Sequence, residues 1–157
     1  MPRITCKVPA TARPVPIRLA PVPTVESWAT LIEAPDFSVP DTALNFPVRD
    51  PLDTNRAIRP GEIYIMTPIK ARNKDSVTRW IEARILQEGG TAVLLERIEV
   101  PAGDSVQIVT QGLSLLKRVA AGANGDRLQV RAETSTSFDV TGNAQERPSA
   151  EHIGVVV

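Results

Sequence analysis

The chain has 157 residues, enough for one ordinary domain and too few for two independent cores. Eighteen basic residues balance eighteen acidic ones, evenly on both sides of Gly61, so the positive field that phosphate-backbone binding uses is missing and nucleic acid is not an expected partner. No apolar run approaches the roughly 20 residues of a membrane-spanning helix, so no membrane partner is expected, and the opening MPRITCKVPATARPVPIRLAPVP lacks the apolar stretch of a secretory signal.

Cys6 is the only cysteine, which rules out an intramolecular disulfide, and aromatics number six. A small domain so built is expected to draw part of its stability from oligomerisation, so a homo-oligomer is anticipated.

Eleven of fourteen prolines lie in residues 1–60, and all nine glycines lie from Gly61 onward. Proline fixes φ and removes a backbone donor, so residues 1–60 are expected to form a long extended arm rather than helices or central strands. The arm is too apolar for a solvated linker, which predicts that it lies on a surface. Its one predicted helix is TVESWATLIEA, residues 24–34, where Trp28, Leu31 and Ile32 share a face and Pro35 ends the run. Trp28, Phe37 and Phe46 are the arm's candidate partner-docking residues.

Residues 61–146 read as an antiparallel β-sandwich of jelly-roll or immunoglobulin-like type, and residues 147–157 as a C-terminal tail. Arg59-Pro60-Gly61 is expected to be a turn. Ile63 and Ile65 then share one face, Pro68 interrupts, and residues 69–72 resume before a turn at Asn73-Lys74-Asp75. Residues 76–86 form a long strand with Val77, Ile81, Ala83 and Ile85 on one face and Trp80, Glu82 and Arg84 on the other. Trp80, among charges, is the fourth candidate docking residue.

Gly89-Gly90 is a hairpin signal, and residues 91–100 return with Ala92, Leu94, Ile98 and Val100 aligned. Glu96 breaks that face and marks a bulge or an edge. A turn at residues 101–104 precedes a strand with Val106 and Ile108 inward. Residues 112–126 read as either a strand extension or a short helix, followed by a loop. Residues 127–133 alternate cleanly, with Leu128, Val130 and Ala132 on one face, and Phe138 and Val140 point inward on the last strand.

No catalytic constellation is found. Ser114-Leu115-Leu116-Lys117 matches a Ser-x-x-Lys pattern, but its companion motifs are missing. His152 is the only histidine, and Cys6 stands alone, better read as an apolar filler than as a nucleophile or ligand. Asp50, Asp53 and Asn55 resemble a fragment of a calcium loop without its glycine and distal glutamate, so turn chemistry is the better reading. No metal site and no cofactor are expected, and the chain reads as a structural or binding protein rather than an enzyme.

The stretches IKARNKDSVTRWIEARIL, VPAGDSVQI, GLSLL and GDRLQVRAETSTSFDVTGNAQE, within residues 63–146, resemble a family of small β-sandwich virion proteins of tailed bacteriophages, encoded near tail and fibre genes. The similarity rests on residues 101–108, 112–115, 125–130 and 135–142, and covers a little over half the chain. Two features depart from the family pattern: the longer loop at residues 117–124 and the sixty-residue arm. The resemblance implies a non-enzymatic structural component of a virion, assembled in the bacterial host cytoplasm, with other virion structural proteins as partners. A tail or tail-tip position, with docking through the N-terminal arm, is the leading expectation. A capsid decoration or head-fibre protein, or a host-glycan-binding module, is the alternative.

Overall fold

The computed structural model describes residues 13–19, 27–41, 48–117, 124–135 and 137–148. These residues contain twelve strands and no helix, arranged as an eight-stranded and a four-stranded antiparallel sheet. The chain is therefore all-β and sandwich-like.

The larger sheet is built around β12 (Phe138–Pro148). One partner is β1 (Arg13–Leu19), in a register running from Arg13 opposite Glu146 to Leu19 opposite Val140. The others are two consecutive strands, β5 (Asp53–Ile65) and β6 (Ile69–Asn73). β5 pairs with residues 144–148 and β6 with residues 138–141, so together they act as one strand broken at residues 66–68. β10 (Ser114–Leu116) flanks β5, and β9 (Ser105–Val109) flanks β6. The first half of β5 is flanked instead by β3 (Asp36–Pro40) and β4 (Arg49–Asp50).

The smaller sheet has the order β2-β11-β7-β8, with β2 (Ala29–Glu33), β11 (Arg127–Ala132), β7 (Arg79–Leu86) and β8 (Ala92–Val100). Period-two alternation sends Ile81 and Ala83 of β7, and Leu128, Val130 and Ala132 of β11, to the inner face. There they join Ile63, Ile65, Ile69, Phe138 and Val140 of the larger sheet in one buried cluster. Fully burying each branched aliphatic side chain stabilises by about 1.5–3 kcal/mol, which makes this shared layer the main support of the fold. Asn73 couples the sheets further: its buried amide donates to the carbonyls of Val100 at 2.8 Å and Val77 at 2.9 Å, while its Oδ1 accepts the Asp75 N–H at 2.9 Å.

Several sequence expectations are met in register. The hairpin at Gly89-Gly90 joins β7 to β8, with Gly90 at φ 91°, and the turn at residues 101–104 has Gly103 at φ 76°. Such positive φ values are inexpensive only for glycine. Glu96 marks both a bulge and an edge, because β8 ends its sheet and its pairing with β7 shifts between Ala83 and Arg84. Of the alternatives for residues 112–126, residues 114–116 form a strand.

Other expectations need correction. Residues 29–33 are strand β2, not helix, and pair with β11. The register skips Leu31 between Ile32 and Thr30, so both Leu31 and Ile32 pack on the core. A bulge thus imitates the spacing of a helical face.

Pro60-Gly61 is not a turn but the interior of β5, at the point where its partners change. Residues 56–60 pair with β3, whereas residues 61–65 pair with β12. A residue without an N–H is tolerated where one ladder ends and the next begins.

The described parts of residues 1–60 include strands of the two sheets. β1 pairs β12, β2 pairs β11, and β3 and β4 pair β5. Arg147 and Pro148, expected in the tail, pair with Glu62 and Gly61 at the end of β12.

Candidate functional site

The outer face of the smaller sheet collects the chain's two tryptophans. Trp80 on β7 and Trp28 just before β2 are both half-buried, and each ring is covered by guanidinium groups of its own chain. Arg97 lies 4.2 Å from the Trp80 ring centre, while Arg84 and Arg131 lie 4.2 and 4.7 Å from that of Trp28. Cation–π stacking of this kind satisfies an aromatic face that would otherwise meet water.

Glu82, buried beneath, ties the two halves together. Its carboxylate accepts Arg131 Nε at 2.6 Å and Arg97 Nη1 at 3.3 Å. A parallel row runs from Arg84 Nε to Gln129 Oε1 at 2.9 Å, and from Gln129 Nε2 to Thr30 Oγ1 at 3.1 Å. Burial, and then the like charges of Arg131 and Arg127, hold the Arg84 guanidinium below its usual range. The side chains form a locked polar grid.

Beside that grid, the edge is open. β8 is the last strand of its sheet, and among the described residues no strand pairs with its outer side. Val93 is 41%, Leu94 59% and Leu95 37% exposed, three consecutive apolar residues on one unpaired edge. Leu94 stands opposite Arg84 on the grid face, and Val93 opposite Ile85 on the core face. Unpaired N–H and C=O groups next to exposed apolar side chains make a ready template for an added strand.

Phe37 is fully buried inside its own chain, and a Cβ on Gly61 would lie 2.6 Å from its ring, so the ring offers no surface to a partner. Phe46, Cys6 and His152 lie outside the described residues. Lys117 donates to Asp36 Oδ2 at 2.8 Å, with the side chains only 7% and 2% exposed, so it serves as a buried tie between β10 and β3 rather than as a base for Ser114. Asp50 accepts Ser38 Oγ and the Leu52 N–H, and Asp53 accepts the Asn55 N–H, which is turn chemistry and not convergence on a cation. Among the described residues no group of three His, Cys, Asp or Glu is placed to hold a metal.

The sequence placed Trp80, Glu82 and Arg84 on one face but gave no sign that Arg97 and Arg131 would stack on tryptophans. Those contacts depend on which strands become neighbours. No family model matches the chain, and no curated protein matches it.

Proposed function

We propose that this chain is a non-enzymatic structural subunit that assembles through the outer edge of β8, in the manner expected of a small virion protein of a tailed phage. The observation that carries this reading is the exposed run Val93-Leu94-Leu95 on an unpaired strand. Because β1, β2 and β3 are engaged in the chain's own sheets, the docking element of the proposal is this edge rather than residues 1–60 as a whole. A strand added there would satisfy backbone donors and acceptors and cover the apolar side chains together, so recognition and burial occur in one step.

The partner of this proposal is another virion structural protein or a second copy of the chain. Sedimentation of the full-length chain and of Leu94→Lys separates the outcomes. Self-association that the lysine abolishes supports a homo-oligomer. A monomer that nevertheless co-purifies with phage particles through an intact β8 edge supports a different virion partner. A monomer absent from particles removes the assembly reading.

A further inference from the structure

On the outer face of the larger sheet lies a shallow, open cleft of about 540 Å³. It forms where the composite strand β5–β6 breaks away from β12. Met66 and Thr67 both donate their N–H groups to the Asn143 carbonyl, at 2.9 and 3.2 Å, and the Asn143 N–H returns a bond to Thr67 Oγ1 at 3.0 Å. These bonds hold a gap in the sheet surface that two prolines, Pro16 and Pro68, flank.

The charge in this cleft has one sign. Arg18 on β1 stands opposite Thr141 on β12, and Thr141 stands opposite Lys70 on β6, so the three form one row across adjacent strands. With strands about 4.8 Å apart, the two cationic stems rise about 10 Å from one another with a hydroxyl between them. Both cations are exposed, and among the described residues no carboxylate lines the cleft and neither cation is paired with an acid. Elsewhere on the sheets Arg79, Arg97, Arg131 and Arg147 each have a carboxylate partner.

We propose that this cleft binds the carboxylate of an acidic sugar. A carboxylate placed above Thr141 relieves the repulsion between Arg18 and Lys70; the guanidinium can take both oxygens in its planar fork, and the ammonium acts as a mobile point charge. The volume argues for a body attached to the anion. A single water takes only about 30 Å³, so the cleft has room for more than the anion alone. Thr67, Thr141 and Asn143 supply side-chain donors and acceptors suited to sugar hydroxyls, and the pyrrolidine rings of Pro16 and Pro68 supply apolar walls.

This inference does not depend on the β8 edge, which lies on the other sheet. The test is titration of the full-length chain with glucuronate, glucose and inorganic phosphate, followed by NMR or calorimetry, for the wild type and for Arg18→Ala, Lys70→Gln and Thr141→Val. The expected result is saturable glucuronate binding that falls about tenfold or more in either cation variant, weakens with added salt, and exceeds binding of glucose. Unchanged melting of the variants confirms that the loss is local. Absence of glucuronate binding, equal binding of glucose, or indifference to both cation substitutions overturns the site. Phosphate binding as tight as glucuronate overturns the sugar and leaves only a charge site.

Discussion

Among the described residues β1 and β8 are both outermost strands, and they meet solvent in opposite ways. β1 carries Pro14 and Pro16, two residues apart, so both missing N–H groups fall on the same side of the strand, while the other side is free to pair with β12. Its edge is blunted against further pairing. β8 has no proline, and its first half exposes Val93, Leu94 and Leu95. Protection begins at the end of this run, where Leu95 is bulged out of register and Glu96, opposite Ala83 on the core-facing side, follows, so the regular open ladder is at Val93 and Leu94. One molecule thus closes one edge and leaves part of another available, which is the asymmetry the assembly proposal uses.

The sharpest check of that comparison asks whether the sheets behind the two edges are equally firm. Ile17 is the buried side chain of β1, and Ile81 on β7 stands opposite Ile98 of β8; both are buried in the shared core. Truncating either to alanine is expected to cost about 2–5 kcal/mol, read by urea denaturation. A far smaller loss for Ile17→Ala would mean that β1 is only loosely joined, and that its edge is not a true counterpart of β8.

A second check breaks the difference from the β8 side. Leu94→Lys should weaken self-association or particle binding at least tenfold while moving stability by only about 0.5 kcal/mol or less, because this side chain is exposed on the outer face. Sedimentation and denaturation together read this split. A variant that still assembles would move the docking surface elsewhere.

The converse change opens β1. Pro14→Thr with Pro16→Val restores two donors to that edge and should produce new concentration-dependent association by light scattering, weaker than that at β8 because Arg18 remains exposed there. No change would show that the prolines are not what closes it.

The smallest expected effect lies at the start of β7, the strand that supports β8. Arg79 Nε donates to Asp75 at 2.7 Å, and this bond, with the Ser76 N–H next, holds the Asp75 carboxyl below its ordinary value. A depressed carboxylate contributes stability above its unfolded value, about 3.9, and loses it as the pH falls through the lower folded value. Asp75→Asn should therefore be slightly less stable than wild type at neutral pH, with the difference vanishing in acid below pH 4. Thermal melting across that range checks the sign, and a difference that grew in acid would contradict it.

The sequence by itself determined the strands with unbroken alternation and the turns with glycine at positive φ. Leu128, Val130 and Ala132, the hairpin at Gly89-Gly90 and the edge marked by Glu96 are local signals: side-chain period and backbone permissiveness act within a few residues. Only the tertiary structure decided what those strands pair with. It turned the helix-like spacing of Leu31 and Ile32 into a bulged strand, because β11 offered backbone partners that an isolated turn of helix could not match. It put Pro60-Gly61 inside a strand, because one ladder ends there as another starts and the Phe37 ring needs the space above glycine. It joined Lys117 to Asp36 across 81 positions and set Arg18 and Lys70 on either side of Thr141. Each of these depends on strand order, and strand order is fixed by the burial of two sheets against one another rather than by any stretch of sequence read alone.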